Sequence, residues 1–253
     1  MATALITGAS SGLGEEFAWQ LAAAGRDVVL VARSRDRLSE MAELIAGATT
    51  MHVEVLVADL STPEGTAAVA ARVSDPERPI DLLVNNAGHG LKAGFLETSV
   101  EDEVAALDVM VRAVLVLSQA AAKAMAERGH GAILNVSSIA GWLGNGSYAA
   151  HKAWVTSFTE GLASQLKGTG VSATAVLPGL THTEFHERAG LTDLEQLPEI
   201  VWLDAEDVVS SALAAVRRRQ VLVTPSVRYG AFMGVVRVLP RSWVRAASGR
   251  NKR

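Results

Sequence analysis

The sequence contains no cysteine. Disulfides, thiol nucleophiles and cysteine-ligated metals are therefore excluded. Aromatic residues make up only 5% of the 253 residues, while hydrophobic residues together reach 49%. An apolar chain this poor in rings suits buried parallel strands covered by helices. No unbroken apolar run reaches the ~18 residues of a membrane-spanning helix. The opening Met1-Ala2-Thr3-Ala4-Leu5 lacks the basic start and long apolar core of a secretion signal, so a cytoplasmic protein is expected. Acidic residues are missing from one stretch: none follows Asp207, whereas ten Lys and Arg lie between Arg217 and Arg253. The whole chain nevertheless carries a net charge of −4. That balance, with few aromatics among the basic residues, argues against nucleic acid as a partner.

What is present alternates. Strand-like runs at Thr3–Thr7, Val28–Ala32, Val53–Val57, Leu82–Asn85, Ala132–Val136, Val171–Leu177 and Val221–Thr224 are separated by helical patterns. The helices are expected near Glu15–Ala24, Arg35–Ala46, Glu64–Val73, Val100–Glu127, Tyr148–Lys167 and Ala205–Arg218. Repeated strand–helix–strand units predict a single α/β domain, a doubly wound parallel sheet of about seven strands with helices on both faces. A length of ~250 residues fits one such domain. Residues 1–226 form its expected body, and 227–253 a basic amphipathic extension. The irregular stretch from about 180 to 203 is long enough to be a lid over a binding site.

The ends of the strands carry the chemistry. After the first strand comes Gly8-Ala9-Ser10-Ser11-Gly12-Leu13-Gly14, then a helix. Glycines here permit a tight turn and bring backbone amides and a helix N-terminus up to a pyrophosphate. The spacing Gly-x-x-x-Gly-x-Gly differs from the commoner Gly-x-Gly-x-x-Gly. The second strand ends at Arg33, where binders of NAD usually carry an acid for the ribose hydroxyls. A guanidinium there grips a 2′-phosphate, which predicts NADP over NAD. Asp59, followed by Leu60, either accepts from an adenine amino group or belongs to the capping region of the next helix. Asn85-Asn86-Ala87-Gly88 closes the fourth strand, with asparagines to pin neighbouring strand ends and small residues beside a flat ring.

Ser138 closes the fifth strand and either holds a substrate oxygen or caps a turn. Pro178-Gly179 closes the sixth, and Thr183 lies within reach of a carboxamide or a phosphate. Tyr148 and Lys152 stand four apart, one helical turn on one face. Tyrosine titrates near pH ~10. A neighbouring ammonium is expected to lower that value and make the phenol a proton donor and acceptor. Tyr-x-x-x-Lys by itself also describes an ordinary surface helix.

Taken in this order, Gly8/Gly12/Gly14, Asn85-Asn86-Ala87-Gly88, Ser138 with Tyr148 and Lys152, and Pro178-Gly179 with Thr183 resemble the short-chain dehydrogenase/reductase family from about Thr3 to Thr224. The resemblance implies a Rossmann-type sheet and a nicotinamide cofactor. It implies Tyr148 as general acid/base, Ser138 as orienter of the substrate oxygen, and Lys152 as the residue that binds the nicotinamide ribose and lowers the tyrosine pKa. It also implies a homodimer or homotetramer built on the helices Val100–Glu127 and Tyr148–Lys167. Two positions depart from the pattern. Met110 stands where the family usually has an asparagine that supports a proton relay, and methionine bonds hydrogen only weakly. The loop between Ser138 and Tyr148 is two or three residues short.

The expected function is an NADP-preferring oxidoreductase for a carbonyl and secondary alcohol pair, with a catalytically weak NADP(H)-binding or sensing protein on the same fold as the alternative that Met110 suggests. His182 and His186 have a metal-ligand spacing but no third ligand, so no metal site is expected. Phe185, Leu191, Trp202 and Leu203 are candidates to close over an apolar substrate or to pack the lid on the body. In the extension, Phe232, Val235, Val236 and Leu239 form one helical apolar stripe ended by Pro240. The favoured reading is a helix packed over the substrate cleft or onto a partner subunit; contact with an anionic membrane surface is the less favoured one.

Overall fold

The computed structural model describes residues 2–91, 93–144, 146–184 and 197–248. Among them, seven strands form one sheet: β1 (Thr3–Thr7), β2 (Asp27–Ala32), β3 (Val53–Val57), β4 (Leu82–Asn85), β5 (Gly131–Val136), β6 (Val171–Val176) and β7 (Leu222–Val223). Their order is β3-β2-β1-β4-β5-β6-β7, and every pairing is parallel. The chain winds outward from β1 to one edge, then returns to β4 and winds to the other. Ligands of such sheets bind at the carboxyl ends of the strands, where that direction reverses.

Helices cover both faces, as the composition predicts. On one face α1 (Gly12–Ala23), α2 (Arg35–Ala48) and α7 (Ala205–Arg217) bury Phe17, Leu21, Leu38, Ile45, Val209 and Leu213 against β1, β2 and β5. On the other, α3 (Pro63–Val73), α5 (Ala113–Arg128) and α6 (Gly146–Gln165) contribute Val69, Leu117, Met125 and the partly buried Leu162 to a second core. Helix α3 begins with Pro63 at its first turn and Thr62 as its cap, whose hydroxyl accepts from the Gly65 amide at 3.0 Å.

The helix expected at Val100–Glu127 is α4 (Val100–Leu107), a π turn over Asp108–Arg112, and α5. By length and composition this stretch could cross a membrane. Its row Ala106, Met110, Ala113, Leu117, Ala121 and Met125 is instead buried in the protein, which accounts for its apolar character. The extension forms α8 (Val227–Val238), and Pro240 precedes a further helix, α9 (Arg241–Ser248).

The predicted apolar stripe of the extension is corrected by the structure. Met233 and Val236 are buried beside Ile139 and Leu177, with Tyr229 and Leu239 packed alongside, while Phe232 and Val235 are exposed. Helix α8 is apolar on most sides, so periodicity could not say which side faces inward.

Buried polar groups tie the central strand ends together. Asn85 Nδ2 donates to Asn135 Oδ1 at 2.9 Å and to Ser118 Oγ at 3.0 Å. Asn135 Nδ2 donates in turn to Thr159 Oγ1 on α6 at 2.9 Å. Removing Asn135 leaves one of the two Asn85 amide hydrogens, and the Thr159 hydroxyl, without that partner in the buried interior. Asn135→Ala should therefore lose about 2 kcal/mol of stability, read from urea denaturation against the wild type.

Candidate active site

The carboxyl edge of the sheet gathers most of the residues singled out in the sequence. β1 ends in the glycine turn. Gly12, which opens α1, has φ 57°, a left-handed backbone that disfavours any side chain. A Cβ on Gly14 would overlap the carbonyl oxygen of Gly8, so helix and turn approach more closely than alanine allows. The turn is braced from the side: Asn86 Nδ2 donates to the Thr7 carbonyl at 3.0 Å and to that of Gly8 at 3.3 Å. The Thr7 hydroxyl accepts from the amides of Asn86 and Ala87 at 3.0 and 3.1 Å. Thr183, from the far side of β6, sits over Gly12. Ser10, Ser11 and Leu13 complete the turn at the N-terminus of α1.

Arg33 is exposed one residue past β2. Its charge reaches Asp59 and His89. Burial alone would raise the Asp59 carboxyl, but bonds from the amide and hydroxyl of Ser61, at 2.9 and 2.7 Å, outweigh it and hold the group below the usual carboxylate range. Thr62, not Asp59, is the cap residue of α3. Asp59 thus stands before the helix in a turn with Ser61, its carboxylate partly buried beside Leu60.

Tyr148 lies near the start of α6, half-buried, and hydrogen-bonds the Ser138 hydroxyl. Ser138 Oγ also accepts from the Ala140 amide at 3.1 Å, capping the short 3-10 turn Ile139–Trp142. The turn-capping reading of this serine is what the structure shows, and the same hydroxyl, which can accept and donate together, also meets Tyr148. Lys152 is buried, its Nζ 5.7 Å from the centre of the Tyr148 ring and 2.7 Å from the Val136 carbonyl. The Ser137 hydroxyl anchors this turn of α6 by donating to the Lys152 carbonyl at 2.7 Å.

The expected fall of the tyrosine pKa is not what this arrangement produces. Burial pushes the Tyr148 phenol up to about 12, and the Ser138 bond offsets only part of that. Burial also brings the Lys152 ammonium down to about 8. Desolvation disfavours both charged forms, and it exceeds the attraction that one turn of spacing suggested.

Met110, at the π turn, is buried, and its side chain and the Lys152 Nζ both lie close to Gly88. Tyr229 of α8, which the sequence offered no reason to select, donates its hydroxyl to the Val201 carbonyl at 2.6 Å and packs its ring on Gly179, just after Pro178. Across that stretch Thr181 bridges to Leu203, and His182, stacked on Trp202, bonds Glu199 at 2.7 Å. Phe185, His186 and Leu191 lie outside the described residues. His151 is buried with its Nδ1 unpartnered among the described residues, and burial lowers its pKa. Metal-ligand clusters are absent among the described residues.

The glycine turn, the helix N-terminus behind it, the cationic end of β2 and the phenol–ammonium pair therefore share one edge of one parallel sheet. Residues 2–193 match the family model described as short chain dehydrogenase. The chain belongs to that family. An uncharacterised oxidoreductase of Staphylococcus saprophyticus is 34% identical over 218 residues, covering 85% of this chain and 91% of the relative. A short-chain dehydrogenase from Sphingobium yanoikuyae, solved in complex with NADPH, superposes with a TM-score of 0.85 at 35% identity and covers 95% of this chain and 96% of its own. A bulky-bulky ketone specific alcohol dehydrogenase from Comamonas testosteroni superposes with a TM-score of 0.81 at 30% identity, covering 95% of each chain. This short-chain dehydrogenase is an oxidoreductase with a Rossmann fold.

The two perturbed groups give the short-chain dehydrogenase a distinctive alkaline stability profile. Between about pH 8 and 10.5 the unfolded chain keeps a proton on Lys152 that the folded chain has released. Its share of stability therefore rises with pH across that window. Tyr148 works the other way: between pH 10 and about 12 the folded chain holds the proton that the unfolded one has lost, so stability falls. Urea denaturation from pH 8 to 10 should show the rise in the wild type and lack it in Lys152→Met.

Proposed function

We propose that this short-chain dehydrogenase is an NADP-preferring oxidoreductase that interconverts a carbonyl and a secondary alcohol. The observation that carries this reading is the Tyr148 phenol bonded to the Ser138 hydroxyl, above the buried Lys152 ammonium. When bound, the nicotinamide supplies or accepts the hydride. Ser138 holds the substrate oxygen by donating to it, while Tyr148 gives that oxygen its proton on reduction and takes it back on oxidation. Lys152 binds the nicotinamide ribose and keeps a positive charge beneath the ring of Tyr148. Through neutral pH burial keeps Tyr148 protonated, the form that reduction requires. Alcohol oxidation requires the phenolate, so its rate should climb toward alkaline pH.

Ser10, Ser11, Gly12 and Leu13 would hold the pyrophosphate on their amides and the N-terminus of α1. Asn86, Ala87 and Gly88 would flank the central part of the cofactor. Asp59 and Leu60 would meet the adenine, and Pro178, Gly179 and Thr183 the nicotinamide end. Arg33, exposed one residue past β2, would take the 2′-phosphate in a bidentate contact. The NADPH bound to the Sphingobium structure supports this preference. Residues 1–226 are read as the catalytic body with a lid near 180–203, and 227–253 as its extension, in a cytoplasmic protein. Exposed Val104, Leu107 and Leu115 on α4 and α5 suit a homodimer or homotetramer interface.

Tyr148→Phe should lower carbonyl reduction by ~10²–10⁴ while NADPH still binds, measured by steady-state kinetics beside fluorescence titration. Unchanged reduction across a panel of ketones and aldehydes would refute the assignment. Arg33→Ala should weaken NADPH far more than NADH; equal losses would remove the 2′-phosphate contact. The sensing alternative has one observation in its favour, Met110 beside Lys152. It predicts tight NADPH binding without turnover, and activity gained by Met110→Asn.

A further inference from the structure

Helix α8 presents an apolar face to each side. Its inner side, Tyr229, Met233 and Val236, is packed against the body beside Ile139 and Leu177. The opposite side is a second apolar stripe, Val227, Ala231, Gly234, Val235 and Val238, at the spacing of one helix face. Val227 is 91% exposed, Val238 81%, and Trp243, early in α9, 66%. A soluble helix normally turns charged residues outward on that side. Here the charges stand at its flanks, and all of them are positive. Arg228 donates to the Ile200 carbonyl at 2.7 Å and Arg241 to the Trp142 carbonyl at 2.9 Å, while Arg237 stacks on the Trp142 ring at 4.6 Å. Among the described residues none of the three is paired with a carboxylate. No acid occurs in the chain after Asp207.

We infer that this face of α8, with Trp243, docks on an anionic lipid bilayer. An apolar stripe between arginines matches the two layers of such a surface, acyl chains below and phosphates above. Each guanidinium spends at most one contact on the protein and keeps further donors for phosphate oxygens. Tryptophan is favoured at that depth because its ring is apolar and its N–H polar. A second copy of this chain fits less well: two such faces meeting on a two-fold axis would bring their arginines together, and neither α8 nor α9 carries an acid to pair them. The exposed apolar residues of α4, by contrast, lie beside Glu101, Asp102 and Glu103, so charge separates the two surfaces.

The test is co-sedimentation of the full chain with vesicles of equal phosphatidylglycerol and phosphatidylcholine, and with phosphatidylcholine alone. Binding is expected to the first, weakening as salt rises, and little to the second. Replacing Arg228, Arg237 and Arg241 by Gln should cost about fivefold in partitioning for each arginine. Val227→Asp with Val238→Asp, both at exposed positions, should abolish binding with an unchanged circular dichroism spectrum and unchanged activity toward whatever carbonyl the wild type reduces. Failure to sediment with the anionic vesicles would overturn the inference, as would equal binding to both kinds. A lower mass of the aspartate variant by light scattering, with no vesicle binding by the wild type, would assign the face to a second copy instead.

Discussion

The hydrogen bond from the Lys152 ammonium to the Val136 carbonyl joins α6 to the end of β5, and the arrangement of the site depends on it. A buried ammonium needs a partner, and the last carbonyls of a parallel strand point where the next helix starts. Once Lys152 is tied there, Tyr148 one turn earlier is carried to the mouth of the sheet. Ser138, two residues beyond Val136, meets it. The short-chain dehydrogenase thus brings its phenol and ammonium together from local spacing on one helix and one strand end. The glycine turn that faces it comes from a different strand, and the switch between β1 and β4 brings the two together.

Lys152 is buried and Tyr148 half-buried, and that loss of water sets their protonation. The same desolvation that raises the phenol lowers the ammonium. The raised phenol stays neutral at physiological pH, and the lysine, though its ammonium is disfavoured by burial, still titrates above that pH and stays mostly charged. Met110 adds to the apolar lining at the π turn. The buried chain of Asn85, Asn135, Ser118 and Thr159 lies just beneath the edge, so the strands that carry the site are fastened by polar contacts where hydrophobic packing gives out.

Much of this was legible in the residues. Runs rich in Val, Ile and Leu separated by helical periods placed the strands to within about two residues, because a strand buried on both faces tolerates little else. The glycine turn could be read because only glycine fits a left-handed turn and a helix that abuts it. Tyr148 and Lys152 could be read because a helix converts a spacing of four into neighbours. The extension could not. Its apolar residues lie on nearly every side, and periodicity carries no information when two opposite faces are both apolar. The brace from Tyr229 to Val201 and Gly179 was equally invisible, since it joins segments far apart in the chain.

The sequence by itself determined the α/β architecture, the glycine-rich turn, the cation at the end of β2 and the pairing of Tyr148 with Lys152. These follow from local rules: backbone sterics, helical spacing and the burial of aliphatic side chains. Tertiary structure alone decided the protonation balance of that pair, the brace of Tyr229 on Gly179, the side of α8 that faces the body and the neighbours of Met110. Each of these depends on how much water a group loses and which distant segment replaces it, and only the packed chain sets those quantities.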